Sequence, residues 1–337
     1  MLKILFAGII FPISGYSQDY LWPLKAEKHL TAIFGEERPG RYHTGIDVRT
    51  FSETGYPILA IESGYISRIR TSSKRYGKTI YLKLHDGNTA VYAHLDHFTP
   101  ELDNLVSALH QYYGKYTIDH QLADSEYPAE KGEIIGYSGD TGGVSGPHLH
   151  FEIRDNDHHS VNPFLYGLSI QDDIPPIVKS IALIPLDQNS YINGISEEQV
   201  FIVKNINDSK YTLDDTISVL GSIGMAINTY DRITNQEFKY GIYNIDLFQN
   251  DQFIYSMQYD KITWEDSKAL YTEKSYSLAR KGAGKFYHLF SHHQNQSLNF
   301  IDNNSRSGIT MTQSGLHNAT INVRDYAANQ VEVRVVL

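Results

Sequence analysis

The chain has 337 residues, 41% of them hydrophobic and 20% charged, which supports packed cores and excludes a disordered chain. Its formal charge of −10 argues against binding nucleic acid or an anionic membrane surface, both of which call for a basic face. There is no cysteine, so a thiol nucleophile, a Cys-ligated zinc and every disulfide are excluded, and any metal must be held by His, Asp or Glu.

The length fits two domains. At the N-terminus, "MLKILFAGIIFPISGYSQDY" places Lys3 before an apolar run from Ile4 to Ile13, followed by the small residues Gly15 and Ser17. That layout predicts a secretory signal peptide over 1–17, the alternative being a buried first strand or helix. No later segment has the roughly 20 apolar residues of a membrane span, so the mature chain is expected to be exported and soluble, in the periplasm or at the cell surface.

Residues 18–170 read as a β-rich first domain. "YPILAIESGYISRIR" predicts two short strands broken at Ser63-Gly64, and "KTIYLKL" and "TAVYAHL" flank "HDGN" as a hairpin with Asp-Gly at its turn. "KGEIIGYSG" and "PHLHFEIR" are two further strands joined by "DTGGVSG". Between His97 and Ala129, ahead of these two strands, the pattern lapses, and "ELDNLVSALHQYYGKY" has helical spacing, which marks 98–129 as an insertion. The histidine distribution and the turn-rich "VNPFLYGLSIQDDIPPIV" set a boundary at 166–176. From 176 to 337, runs such as "VKSIALIPL", "EQVFIVKN", "SIGMAINTYD" and "NATINVRDYAANQVEVRVVL" predict an antiparallel, immunoglobulin-like β-sandwich, with the stretch from Trp264 to Gly284 open between helix and coil.

Eleven of the 15 histidines fall between His29 and His159. On a strand, His148 and His150 of "GPHLHFEIR" share one face. His43 and Asp47 of "RYHTGIDVRT" lie four apart, and the β-branched residues around them favour an extended segment. To share one metal the chain must bend, and Gly45 is where it can. Alternation in "VYAHLDHF" puts Tyr92 and His94 on one face. Glu152 is either a group behind a metal ligand or a solvated strand carboxylate. The glycines of "GDTGGVSG" are either a plain connection or a wall that a peptide backbone can approach. His85 and His97 are expected in turns, and His158-His159 and His292-His293 as loop pairs.

In combination, "HTGID", "YAHL" and "GPHLHFE", with "ESGYIS" and "KGEIIGYSGDTGGVSGPHLHFEIRD", resemble the lysostaphin-type zinc peptidases, also called LytM-like or murein DD-endopeptidases. The resemblance runs from about Phe34 to Tyr166 and implies an antiparallel β-sheet groove of the duplicated hybrid motif kind. It implies Zn2+ ligands at His43, Asp47 and His150, catalytic histidines at His94 and His148, and a peptidoglycan peptide as substrate. The departure from the family pattern is the insertion at 98–129, which bears on the shape of the groove. Spacing alone does not say which histidine of "HLH" would bind the metal.

Chemistry agrees with that implication. Two imidazoles and a carboxylate leave a tetrahedral zinc with one open position, and zinc so held activates water and polarises a carbonyl. The expectation is an exported zinc metalloendopeptidase that cuts peptide cross-links of bacterial peptidoglycan. Its second domain would engage the wall or a regulatory protein partner, or occlude the groove. One rival is a non-catalytic wall-binding or activator protein that retains the fold; five filled positions oppose it. The other is a sugar-transport phosphocarrier, whose β-fold members share an H-x-G-x-D stretch. The signal peptide and a third clustered histidine oppose that one.

Overall fold

The structure is a computed structural model describing residues 19–266, 270–291, 298–311 and 313–337. The expected signal peptide and the His292-His293 pair lie outside the described residues. Among the described residues, no helix is long and apolar enough to cross a membrane.

The molecule is mainly β. Its first half is built on strands β1 (Leu30–Ala32), β2 (Glu37–Arg38), β3 (Arg41–Tyr42), β4 (Ile46–Arg49), β5 (Pro57–Leu59), β6 (Gly64–Thr71), β7 (Lys78–Leu84) and β8 (Thr89–Phe98). Helix α1 (Pro100–Tyr113) follows, then β9 (Ile118–Gln121), β10 (Pro128–Ala129), β11 (Ile134–Ser138), β12 (His148–Arg154) and β13 (Ser160–Val161). One antiparallel sheet runs β1-β4-β12-β8-β7-β6-β10. Its core face carries Ile46, Val48, Tyr92, Leu149, Phe151 and Ile153, all fully buried. The alternate residues of β4 and β12 therefore point to the other face, where the site lies.

The expected insertion is more than a helix. Pro100 at its first turn and the left-handed Gly114 beyond its last bound α1, and Leu102 and Val106 bury its inner face. The chain then returns as β9 and β10, which both pair with β6 and extend the sheet.

In the second half, Ile177–Pro185, Gln199–Ile202, Ser222–Tyr230, Tyr287–His288 and Ile309–Thr310 form a five-stranded sheet. Lys204–Asn207, Lys210–Thr212, Asn244–Gln249, Gln252–Gln258, Asn318–Arg324 and Gln330–Val336 form a six-stranded one. The two sheets enclose a common core. "EQVFIVKN", expected as one strand, breaks at Val203 and passes from the first of these sheets to the second. Lys210–Thr212 pairs parallel with Gln330–Val336, a departure from the antiparallel rule that the other ladders follow. The open stretch holds two short helices, Leu270–Glu273 and Tyr276–Arg280.

The halves are interlocked. Phe34 and Tyr42 belong to the core of the second half, and Ile233 and Tyr240 to that of the first. Lys261–Ile262 also pairs with β13 and joins the first sheet.

Candidate metal centre

Three neighbouring strands position the site. In the ladder between β4 and β12, Asp47 stands opposite His150 and Arg49 opposite His148. Residues opposite each other on one face are close enough for their side chains to meet. His43 precedes β4, and the chain bends at Gly45 as the sequence requires. A Cβ on Gly45 would sit 2.2 Å from the Phe151 carbonyl oxygen, so only glycine lets this segment close onto β12.

His43 Nε2 lies 3.0 Å from Asp47 Oδ1 and 3.1 Å from His150 Nδ1, and that nitrogen is 2.8 Å from Asp47 Oδ1. All three residues are buried. The outer ring nitrogens are committed elsewhere: His43 Nδ1 to the Ile33 carbonyl at 2.8 Å, and His150 Nε2 to Glu152 Oε1 at 2.9 Å. Those acceptors require the protons on the outer nitrogens, so both inward nitrogens present lone pairs to a carboxylate oxygen. Three electron-rich atoms this close in a buried site call for a cation between them. A tetrahedral zinc, with bonds near 2.0–2.1 Å, sets its ligand atoms about 3.3 Å apart. Two imidazole nitrogens and a carboxylate oxygen in this triangle fit that ion.

Without a metal the surroundings charge His150 instead. Burial opposes the charge, but hydrogen bonds to Asp47 and Glu152, and the charges of both, outweigh it and raise the pKa to about 9. Burial likewise opposes the charge on Asp47, and His43 and His150 overcome it, holding the carboxyl well below its usual range. Glu152 is fully buried, and Arg154 and His150 keep it ionised. It accepts from Thr44 Oγ1 at 2.8 Å, from Arg154 Nε at 2.7 Å and from the Tyr76 hydroxyl. Glu152 is thus not a solvated strand carboxylate: it is wholly buried behind His150. Such a partner fixes the tautomer and orientation of a metal-binding imidazole.

His94 and His148 complete the cluster, their ring centroids 4.8 Å apart. His148 Nδ1 faces the Gly146 carbonyl at 3.0 Å, and its Nε2 stands 3.7 Å from Asp47 Oδ1. His94 Nδ1 faces the Thr141 carbonyl at 2.9 Å. Each therefore donates its Nδ1 proton to a backbone carbonyl and keeps Nε2 free as an acceptor. Burial, with the charges of His150 and His148, lowers the His94 pKa to about 3, so this ring is neutral at neutral pH.

Alternation misplaces His94. Tyr92 is on the core face, where its hydroxyl accepts from the Ile61 amide, whereas His94 is on the face of His148 and His150. The cause is a bulge in the β7–β8 ladder between Lys78 and Ile80, with His94 left-handed at φ 65°. One extra residue re-aims the side chain. His97 is in β8, stacked on Tyr137, and not in a turn. In the glycine-rich loop, the close approach that Gly142 permits is to the chain's own Arg75–Gly77 backbone, with a Cβ only 2.3 Å from the Arg75 carbonyl oxygen.

Residue patterns missed Arg38 and Tyr76. Arg38, on the β2–β3 hairpin, donates to Asp47 Oδ2 at 2.8 Å. Tyr76 stacks on His150 and donates to Glu152. Both sit in turns or hairpins whose pairing no local pattern announces.

Residues 41–111 and 100–163 match the model of peptidase family M23, and those segments contain all five positions. The chain carries a domain of this peptidase family. It is 31% identical over 128 residues to the DD-carboxypeptidase/endopeptidase Mpg of Neisseria meningitidis serogroup B, covering 38% of this chain and 23% of that protein. It is 24% identical over 164 residues to the cell division protein DipM of Caulobacter vibrioides, covering 49% of this chain and 21% of the relative. The chain thus spans less than a quarter of the length of these curated relatives. The catalytic domain of lysostaphin from Staphylococcus simulans is 26% identical, with 42% of this chain and 93% of that domain covered and a TM-score of 0.30.

Proposed function

We propose that this chain is an exported zinc metalloendopeptidase that hydrolyses peptide cross-links of bacterial peptidoglycan. His43, Asp47 and His150 hold the metal, and His94 and His148 handle protons. The observation that carries the reading is the triangle of His43 Nε2, Asp47 Oδ1 and His150 Nδ1, whose edges are 2.8–3.1 Å. Membership in a family of peptidases supplies the reaction class. Bound zinc would supply Lewis acidity for water and for the scissile carbonyl.

The chain's own residues do the rest. Glu152 and the Ile33 carbonyl fix the two ligand rings, so that metal uptake costs little reorganisation. His148, beside the ligand triangle, accepts a proton from the attacking water at Nε2 and returns it to the leaving amine. His94, neutral and facing His148, accepts from the water at its own Nε2 and so orients it. The second half, 176–337, serves as an accessory domain that engages the wall or a regulatory protein.

The test is mass spectrometry of muropeptides released from purified peptidoglycan, with and without a chelator, alongside zinc analysis of variants. His43→Ala and Asp47→Ala should lose both zinc and hydrolysis. His148→Ala and His94→Ala should keep zinc and lose at least about 100-fold in turnover. A metal-free His148→Ala would reverse the assignment within "HLH". Zinc-loaded wild type that binds wall but releases no product would make the chain a non-catalytic wall-binding protein.

A further inference from the structure

Away from the metal centre, three carboxylates converge where the two halves join. Asp172 lies in the connecting segment, Asp231 follows the strand Ser222–Tyr230, and Asp325 follows Asn318–Arg324. One oxygen from each lies within 4.8 Å of the other two. Asp231 and Asp325 are each only 2% exposed, and Asp172 is half-buried.

The surroundings orient two of these groups and leave one oxygen of the third, which takes a hydrogen bond from the Arg232 amide, unanswered. Asp172 Oδ1 accepts from the amides of Ile174 at 3.0 Å and Thr234 at 3.1 Å, and from Thr234 Oγ1 at 3.3 Å. Asn329 serves Asp325 twice, its amide reaching Oδ1 and its Nδ2 reaching Oδ2, both at 2.9 Å. The same Nδ2 also donates to the Asp172 carbonyl at 3.0 Å, tying two of the segments together. Asp231 Oδ1 is buried and has no hydrogen-bond partner. The charges that act on Asp231 most strongly are Asp325 and Asp172, both negative. Among the described residues, none of the three is in an ion pair with a lysine, arginine or histidine.

A buried carboxylate oxygen without a donor, beside two more carboxylates, is costly unless something positive neutralises it. We propose that Asp172, Asp231 and Asp325 form a binding site for a hard divalent cation of the calcium class, separate from the His43–Asp47–His150 centre. The donor chemistry selects this class. All three ligands are oxygen, calcium takes six to eight oxygens in flexible geometry, and no imidazole is present to favour zinc.

The site has a structural consequence. The segment after Asp231 reaches the edge strand of the first sheet: Gln236 Oε1 accepts from the Leu30 amide at 2.9 Å, and the Tyr240 hydroxyl donates to the Leu30 carbonyl at 2.8 Å. Leu30 is on β1, which pairs with β4, the strand of Asp47. A cation at the three aspartates therefore braces the junction that supports this strand. The competing occupant is a proton. With no cation present, burial and the neighbouring carboxylates raise Asp231 to about 9, and burial with Asp172 raises Asp325 to about 6.

The experiment uses the full zinc-loaded chain at neutral pH, with Ca2+ as the probe and Mg2+ as the comparison. Calorimetry should count one Ca2+ per chain with a Kd of about 10 µM to 1 mM. Saturating Ca2+ should raise the midpoint of thermal unfolding by at least about 2 °C, and Mg2+ by less. Asp231→Asn, which mimics the protonated acid, should abolish calcium binding and the shift, yet be at least as stable as calcium-free wild type. His43→Ala should keep both responses. No calcium binding by wild type up to about 5 mM would leave the proton as occupant and overturn the proposal. Undiminished binding in Asp231→Asn would overturn it equally. If that variant does not fold, Asp172→Asn is read by the same two criteria.

Discussion

Glu152 shows how a single side chain can set the candidate metal centre without entering it. It bonds His150, Thr44, Tyr76 and Arg154 together, and its carboxylate is wholly buried. Burial and the stacked Tyr76 ring confine His150, and Glu152, by accepting from Nε2–H, fixes the tautomer that turns the Nδ1 lone pair to Asp47 and His43. Glu152→Gln keeps the shape but replaces one acceptor oxygen with an amide donor. It also leaves the Arg154 guanidinium with a weaker partner, at a cost typical of a broken buried charge pair. We expect this variant to bind zinc about 10–100-fold more weakly, as read by competition against a chromophoric chelator. Hydrolysis at saturating zinc should fall by less than the affinity does, because His94 and His148 are anchored on backbone carbonyls that the substitution does not reach. An unchanged zinc affinity would mean that strand geometry alone positions His150.

At the scale of elements, the site depends on two local departures from regular strand geometry. The first is the bend before β4, where Gly45 meets the Phe151 carbonyl. Gly45→Ala must push β4 away from β12, so it should cost about 2–4 kcal/mol and separate Asp47 from His150. Denaturant melts and zinc stoichiometry check this together; a stable variant with full zinc would show that the strands can yield. The second departure is the bulge that turns His94 onto the site. These two features divide what the sequence disclosed from what it hid. Period-two alternation made the strands of the first half readable, and it placed His148 and His150 on one face. The bend at Gly45 was legible because His43 and Asp47 lie too far apart on an extended chain to share an ion. The bulge was not legible, because an extra residue is defined by the partner strand, and β7 gives no local sign of where its register slips. Arg38 and Tyr76 were hidden for the same reason: their role exists only once distant segments meet. In the second half, alternation again gave the strands, but the crossing of "EQVFIVKN" between sheets at Val203 depends on packing that no single strand encodes.

For the whole molecule, the interlocked cores change what the second half does. The carbonyl that holds His43 belongs to Ile33, in a segment running from Ile33 to His43. That segment leans on the second half at both ends. Phe34 and Tyr42 are fully buried in its core. The Phe34 carbonyl accepts from the Tyr326 hydroxyl at 2.9 Å, and the Tyr42 hydroxyl donates to Glu273 at 2.9 Å. Tyr42 also packs against the rings of Tyr259 and Phe300, with centroids 5.9 and 5.4 Å away. Removing the second half would expose two large aromatic side chains in the segment that ends at His43 and release the loop that orients its ring. We therefore expect a fragment of residues 18–170 to unfold at lower temperature, bind zinc more weakly and hydrolyse soluble muropeptides more slowly than the full chain. In the full chain, Tyr259→Ala should cost about 3–5 kcal/mol and lower zinc affinity, although it lies 109 positions from His150 in sequence. Side-by-side melting, chelator competition and product analysis decide the matter. A fragment that keeps its zinc and cuts faster than the full chain would mean that the second half occludes the groove instead of buttressing it.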